Sequence, residues 1–314
     1  MKSVQQIIQE KEIWAGLNHP GISVEEADIV VYGIPFDGGV SFRAGAKDAP
    51  KALREITYTI DPTTEGFESI EGLKILDLGD AEGENREEIF QKVEQVAYDC
   101  VKAGKLMTFI GGDHSTTIPI LWGIDKALEE PFGIIHIDAH LDLCDEMGGD
   151  RLSHGSTERR ALELKNIPDT ESIYFLGIRS AELEEVKFLQ ENKINLLGTR
   201  EIRHLGVEKA LEKVKEKMAR FNKIYITIDI DALDPAYAPG TGTPQFGGLD
   251  SREMLDLLYG LFELPVIGFD VVEVAPGLEE SKIALFAARK IITECWGHHW
   301  RKGTNVYGKY KKSF

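Results

Sequence analysis

The sequence predicts an α/β protein in which a parallel β-sheet is covered by helices. Short apolar runs rich in Val, Ile and Phe recur along the 314-residue chain, and longer segments between them carry apolar residues at helical spacing. Near-continuous apolar runs are typical of strands that are buried on both faces, as in parallel sheets. The chain shows no internal repeat, low-complexity stretch or linker, so we expect a single domain over residues 1–314. Within it we expect an N-terminal extension at 1–26 and a C-terminal tail at 298–314.

Eight apolar runs are the candidate strands of this sheet. In chain order they are residues 29–34, 74–78, 106–110, 133–137, 173–177, 194–197, 224–228 and 266–269. Between them, residues 87–103 and 206–221 place apolar side chains along one face of a helix, which predicts two amphipathic helices. Asp250 and Glu253 resemble a capping box ahead of a further helix at 254–262. This alternation of buried strands and helices favours a parallel sheet with helices on its faces.

The composition is that of a globular protein and excludes two classes of partner. The chain has 53 Asp and Glu residues against 36 Lys and Arg residues, a formal net charge of −17. Nucleic acids and anionic membranes bind basic surfaces, so this charge argues against both, whereas it is compatible with a cationic ligand. No apolar run approaches the roughly 20 residues that cross a bilayer, and the N-terminus lacks a signal-peptide core. The three cysteines are widely spaced, so we expect a cytoplasmic protein without a cysteine zinc site.

Polar clusters follow four of the eight apolar runs. They occupy residues 111–115, 138–142, 229–235 and 270–276. Open parallel sheets bind ligands at the carboxyl ends of their strands, so we expect these clusters to meet in one crevice.

The residue types in these clusters predict a metal site. Side chains two positions apart on an extended segment project to the same side. The candidate ligands are four aspartates and two histidines, namely His114, Asp138, His140, Asp142, Asp229 and Asp231. Several buried carboxylates need a compensating cation, and His and Asp ligands without Cys favour manganese or another octahedral metal over structural zinc. The set is rich enough for two ions that share carboxylates. His136, inside a strand, is interpreted as a buried, hydrogen-bonded residue.

The same clusters and several further motifs resemble those of the ureohydrolases, the family of arginases, agmatinases and their relatives. The resemblance is closest to the agmatinase branch, and it covers nearly the whole chain. The motifs are Gly-Ile-Pro-Phe-Asp-Gly-Gly-Val-Ser-Phe-Arg-Ala-Gly-Ala at 33–46, Gly-Gly-Asp-His-Ser at 111–115, Asp-Ala-His-Leu-Asp at 138–142, His-Gly-Ser at 154–156, Asp-Ile-Asp-Ala-Leu-Asp-Pro at 229–235, Ala-Pro-Gly-Thr-Gly-Thr-Pro at 238–244, and Asp-Val-Val-Glu-Val-Ala-Pro at 270–276. The resemblance implies a three-layer α/β/α sandwich around a mainly parallel eight-stranded sheet.

The resemblance also implies a metal centre with two manganese ions per subunit. The first ion would be held by His114, Asp138, Asp142 and Asp229. The second would be held by Asp138, His140, Asp229 and Asp231, so that Asp138 and Asp229 bridge the pair.

Three catalytic roles follow from the same resemblance. Asp142 would accept the proton of the attacking water, His154 would shuttle protons, and Glu273 would pair with the guanidinium group of the substrate. His154 and Glu273 would therefore also bind substrate. The products would be urea and an amine, most simply putrescine from agmatine. The family also implies a homo-oligomer, a trimer or a hexamer.

Two departures from the agmatinase pattern concern the substrate tail. Glu158 stands where an aromatic residue is usual, and Gly-Leu-Glu-Glu occupies 277–280 in place of an aromatic residue and an Asp. Both are expected on loops that line the outer pocket, and Glu158 is expected to contact a distal ammonium group of the substrate. The insert with which arginases recognise an amino-acid head group is not evident between Asp142 and His154, which disfavours arginine.

Other functions stay open at this point. Related hydrolases act on guanidinobutyrate, guanidinopropionate, guanidine or formiminoglutamate. A metal-dependent sugar-nucleotide transferase would use Asp229 and Asp231 but would leave the other ligands unexplained. A non-catalytic regulatory subunit is disfavoured because all six ligand positions are filled.

Overall fold

The computed structural model describes residues 2–10 and 12–304, and its centre is an eight-stranded parallel sheet. The strands are β1 Ile29–Gly33, β2 Ile75–Asp80, β3 Leu106–Ile110, β4 Gly133–Ile137, β5 Ile173–Ile178, β6 Asn195–Gly198, β7 Ile224–Asp229 and β8 Val266–Val272. Their order across the sheet is β2-β1-β3-β8-β7-β4-β5-β6. All eight candidate runs form strands, and every pairing is parallel, as predicted.

Helices cover both faces of the sheet and complete the predicted three layers. They are α1 Val4–Ile8, α2 Ala49–Arg54, α3 Arg86–Ala103, α4 Thr117–Ala127, α5 Thr157–Ala161, α6 Leu183–Glu191, α7 Thr199–Leu205, α8 Val207–Met218, α9 Ser251–Leu261 and α10 Ile283–Thr304. The predicted amphipathic helices are α3 and α8. The capping box is present, but α9 begins directly after Asp250, three residues before the predicted start.

The two faces of the sheet carry separate apolar cores because strand side chains alternate in direction. In β1, Ile29 and Val31 pack into one core, whereas Val30 and Tyr32 pack into the other. Helices α3 and α4 supply the second core, and α8, α9 and α10 supply the first. A strand with an apolar core on each face must be apolar at nearly every residue, which explains the continuous apolar runs in the sequence.

The two chain ends are more closely integrated than the sequence suggested. Trp14, within the expected extension 1–26, is buried in the core and donates its indole N–H to Asp77 Oδ2 at 2.7 Å. Helix α10 runs through position 298, where a tail was expected to begin. His298 packs against the rings of Tyr259 and Phe262, which holds this part of the helix on α9. Residues 305–314 of the expected tail lie outside the described residues.

The polar clusters follow β3, β4, β7 and β8, and these four strands are consecutive in the sheet. Because the strands are parallel, their carboxyl ends lie along one edge. No helix in the described part of the chain is long and apolar enough to span a membrane.

Candidate metal centre and active site

Three carboxylates surround one ring nitrogen of His114. Its Nδ1 atom lies 3.0 Å from Asp138 Oδ2, 3.0 Å from Asp142 Oδ2 and 3.4 Å from Asp229 Oδ2. These are the four residues expected to hold the first ion. They come from the ends of β3, β4 and β7, so strand order alone brings them together.

A second group shares Asp138 with the first. His140 Nδ1 lies 3.4 Å from Asp138 Oδ1 and 3.3 Å from Asp231 Oδ2. Asp138, His140 and Asp231 offer ligand atoms close enough together to hold one metal ion. The six predicted ligand residues therefore form one continuous cluster with Asp138 at its centre.

The hydrogen bonds around His114 leave its Nδ1 atom available to bind a cation. The opposite nitrogen, Nε2, lies 2.8 Å from Thr227 Oγ1, and that hydroxyl donates to Asp270 Oδ1 at 2.7 Å. Thr227 therefore accepts from Nε2–H, and the lone pair of Nδ1 faces the carboxylates. An Nδ1 lone pair that faces carboxylate oxygens is repulsive unless a proton or a metal ion lies between them. Sequence reasoning missed Thr227 and assigned no role to Asp270, since a threonine inside a strand carries no functional signal.

His136 lies next to this cluster but its nitrogens are already engaged. Its ring stacks on His114 with centroids 5.0 Å apart, so the two histidines and Asp138 also form a geometrically possible ligand group. However, Nδ1 of His136 lies 3.0 Å from Glu158 Oε1, and Nε2 lies 3.0 Å from the carbonyl oxygen of His140. His136 is a buried, hydrogen-bonded residue, as its strand position predicted.

The chemistry of the cluster fits a bound cation. Within the described chain, His114 Nδ1 and Asp138 Oδ2 are buried and have no hydrogen-bond partner. Burial and the charges of neighbouring aspartates raise the pKa of Asp229 and of Asp231. Burial alone would raise the pKa of Asp138, but the three surrounding histidines outweigh it and lower the pKa. Carboxylates that oppose one another's ionisation are stabilised when a divalent cation joins them.

Glu273 connects the metal cluster to His154. Its Oε1 atom accepts the backbone N–H of His114 at 3.0 Å and lies 3.0 Å from His154 Nδ1. Its backbone has a φ of 61°, and its N–H donates to Gly112 O at 2.8 Å. The glutamate is thus held at the end of β8 with its carboxylate aimed at the cluster.

His154 can bind a proton on the side away from Glu273. Ser41 places both a backbone N–H, at 3.0 Å, and a hydroxyl, at 2.8 Å, next to its Nε2. Nε2 can therefore accept from the Ser41 amide when neutral and donate to the hydroxyl when protonated. Burial alone would lower the pKa of His154, but the hydrogen bond to Glu273 and the nearby acidic charges raise it to about 9.

The structure corrects the expectation for both departures from the family pattern. Glu158 is fully buried and pairs with His136, so the prediction that it contacts the substrate is wrong. It lies in the first turn of α5, whose backbone binds Asp142, and this places its side chain beneath β4 rather than at the pocket. Residues 277–280 do not line the pocket either; Glu279 instead accepts the N–H of Ala284 at the start of α10.

The cluster opens into a cavity of about 170 Å³. Its lining includes His140, Asp142, His154 and Asp229, together with Glu182 and Glu185. The two glutamates follow β5, the neighbour of β4 in the sheet. The acidic sequence after the fifth apolar run was a signal for them, since a further strand ends there.

Glu185 is fixed by the backbone. One of its carboxylate oxygens accepts the N–H of Leu143 at 2.8 Å, and the other accepts the N–H of Glu182 at 2.7 Å. Burial, opposed in part by these hydrogen bonds, raises its pKa to about 7. Glu182 is exposed beside it.

A family model for the arginase family matches residues 27–297 of this sequence. The chain belongs to the arginase family. The match spans all eight strands and all six candidate ligand residues of the cluster.

Relatives within the arginase family differ in their named substrates. The chain is 34% identical to an agmatinase of Bacillus anthracis, over 88% of this chain and 93% of that protein. It is 33% identical to a guanidinobutyrase of Pseudomonas aeruginosa, over 81% of this chain and 80% of that protein. The crystal structure of the agmatine ureohydrolase of Thermoplasma volcanium superposes with a TM-score of 0.82, at 29% identity and with 94% and 97% of the two chains covered.

Proposed function

We propose that this protein hydrolyses agmatine to putrescine and urea with two manganese ions per subunit. The observation that carries the proposal is one cavity lined by three residues of the metal cluster, His140, Asp142 and Asp229, and by Glu182 and Glu185. The agmatinase of Bacillus anthracis, similar over 88% of this chain, supports the same reaction.

The residues present fit the two ions. His114, with its unpartnered Nδ1, would join Asp138, Asp142 and Asp229 on the first ion. His140 and Asp231 would hold the second ion together with Asp138 and Asp229. When bound, two divalent cations supply a nucleophilic water at neutral pH, because they lower its pKa.

The protein side chains orient the substrate and move protons. A guanidinium carbon is a poor electrophile because its charge is spread over three nitrogens, so its placement is decisive. The Glu273 carboxylate can pair with the guanidinium nitrogens and hold the carbon over the cluster. Asp142 can take a proton from the attacking water, and His154 can deliver one to the departing amine, since its Nε2 has both a donor and an acceptor beside it.

The two glutamates that line the cavity favour a substrate with a second positive charge. Glu182 and Glu185 would attract the distal ammonium of agmatine and repel the carboxylate of 4-guanidinobutyrate. The relatives named for these two substrates are 34% and 33% identical, so overall identity does not separate them and the pocket does. Guanidinobutyrate hydrolysis remains the second candidate because of that relative.

Urea release from agmatine and from 4-guanidinobutyrate, measured with added manganese, tests the proposal. We expect kcat/KM to be at least about tenfold higher for agmatine, and Glu182→Gln to reduce that preference through a raised KM for agmatine. Glu184→Gln is the matched control, because Glu184 is exposed on the same turn and does not line the cavity. A preference for the carboxylate substrate would contradict the assignment of agmatine, and no urea from any guanidino compound would contradict the reaction class.

A further inference from the structure

Two buried side chains that contact each other, Glu158 and His136, lie next to the segment that carries three of the proposed metal ligands. This ligand segment comprises residues 138–142. Glu158 and His136 are both fully buried beneath it, and neither touches the cavity. Glu158 Oε1 lies 3.0 Å from His136 Nδ1, and His136 Nε2 lies 3.0 Å from the carbonyl oxygen of His140. These two side chains thus connect helix α5, strand β4 and the ligand segment.

The surroundings of His136 require its Nε2 to be a donor. The two atoms that face Nε2 are both acceptors, the carbonyl oxygen of His140 and Asp138 Oδ2, the latter at 3.2 Å. The other ring nitrogen of His136, Nδ1, is therefore the atom that pairs with Glu158. Because the hydrogen bond at one imidazole nitrogen sets the orientation of the whole ring, Glu158 keeps the Nε2–H group aimed at the ligand segment.

Helix α5 holds the other end of the ligand segment through its backbone. The N–H groups of Glu158 and Arg159 donate to the carbonyl oxygen of Asp142 at 3.0 and 3.2 Å. Asp142 has a φ of 53°, a conformation that a non-glycine residue adopts only when its surroundings hold it there. The first turn of α5 therefore contacts the ligand segment at Asp142 directly and at His140 through His136.

Glu158 is a poor choice if its role is fold stability alone. Its Oε2 atom is buried without a hydrogen-bond partner among the described residues. A buried carboxylate oxygen without a partner destabilises a fold, and an apolar side chain of similar size would avoid this cost.

We propose that Glu158 is a positioning residue, which acts through His136 to hold the ligand segment 138–142 in the geometry that binds metal. It touches neither the ions nor the substrate. The proposal rests on the proposed function in one respect, that this segment binds the metal ions.

Manganese affinity, measured without substrate, tests the role. Free Mn²⁺ is quantified by its electron paramagnetic resonance signal during titration of the metal-free wild-type protein and of the variants. In Glu158→Leu, we expect the dissociation constant of at least one ion to rise by about tenfold or more, the range found when partners of metal ligands are removed. In Glu158→Gln, the amide can still hydrogen-bond to His136 Nδ1, so we expect the dissociation constant to stay within about threefold of wild type. Glu163→Gln is the exposed control in the same region and should bind manganese as wild type does.

Melting temperature separates positioning from a merely structural role. A structural role predicts that Glu158→Leu changes the melting temperature while its manganese affinity equals that of wild type, and this result would overturn the proposal. If Glu158→Leu does not fold, Glu158→Asp replaces it, because its shorter side chain cannot keep the 3.0 Å contact with His136. Unchanged affinity in Glu158→Asp would then overturn it. A wild-type protein that binds no manganese would overturn the proposed function and this inference together.

Discussion

Asp142 and Glu273, two of the residues assigned to catalysis, share an unusual backbone conformation. Their φ values are 53° and 61°, in the left-handed region that non-glycine residues rarely adopt. Backbone hydrogen bonds hold both, from α5 to the carbonyl of Asp142 and from Glu273 to Gly112. Such strain is concentrated at functional sites, and here it turns each carboxylate toward the metal cluster.

The separation of a proton shuttle from metal ligands can be tested with two substitutions. His154→Asn should retain manganese and lose about 10²- to 10⁴-fold in kcat, because we propose that His154 moves protons and is not a metal ligand. Asp231→Ala should lose both metal and activity. Metal content is measured by elemental analysis beside urea release. If His154→Asn loses metal as readily as Asp231→Ala, the division of roles is wrong.

At this scale the sequence predicts which candidate ligands lie together, but not the residues that contact them from behind. The candidate ligands stand at strand ends in alternating patterns such as 138–142, so strand geometry predicts that they meet. Glu158 stands in a short helix with no such pattern, and its direction depends on the contact between α5 and Asp142. Thr227 and Glu182 were missed because their roles arise from neighbours that are distant in sequence.

Among the helices, α3 and α4 approach each other closely at Gly123. A Cβ atom added to Gly123 would lie 2.3 Å from the carbonyl oxygen of Glu94 and 2.7 Å from Cβ of Ala97. Glycine is therefore required here by packing, although it weakens a helix. Because α4 begins directly after the turn that carries His114, this contact also supports the site.

Substitution of Gly123 provides a test of this packing. Gly123→Ala should lower the free energy of unfolding by about 1–3 kcal/mol, because the clash involves a backbone atom that cannot move freely. Gly277→Ala is the control, since no described atom lies within 4 Å of its added Cβ, and it should change stability by less than about 0.5 kcal/mol. Equal stability of the two variants in urea unfolding would show that the helices separate without cost.

For secondary-structure elements, the sequence predicts the presence of a strand or helix better than the residues at which it begins and ends. The strands follow from apolar runs that must be buried on both faces, and all eight form. The sequence pattern predicts the N-terminal extension 1–26 and the C-terminal tail 298–314 less well. A segment such as the one around Trp14 mixes charges with isolated apolar residues. Its burial depends on contacts with β2 and α10 that no local pattern contains.

Over the whole molecule, the excess of acidic residues has an uneven distribution. Four of the carboxylates counted in the charge of −17 lie in the metal cluster, Glu273 contacts the cluster residue His114, and Glu182 and Glu185 line the cavity. The acidic charge thus includes a concentrated region suited to cations, which total charge alone could not reveal. The cytoplasmic location and the trimer or hexamer stay predictions.

This concentration of charge predicts that the fold is stabilised by metal. Manganese at one hundred times its dissociation constant should add about 2.7 kcal/mol per site to the free energy of unfolding, because the ions bind only the folded arrangement of ligands. The melting temperature should therefore fall by several degrees when a chelator removes the metal. Asp231→Ala should show a smaller difference between loaded and metal-free protein. A melting temperature that is insensitive to manganese would contradict metal binding by the cluster.

The order of strands across the sheet also constrains when the site can form during folding. The strands that carry it are neighbours in the sheet, yet they lie between positions 106 and 272 of the chain. Such non-local strand pairing is slow, because the entropy cost of closing a long loop comes before the stabilising contacts form. During synthesis β8 leaves the ribosome last of the eight strands, and it lies between β3 and β7. We therefore expect the cluster to bind metal only late in folding, after the central sheet has closed.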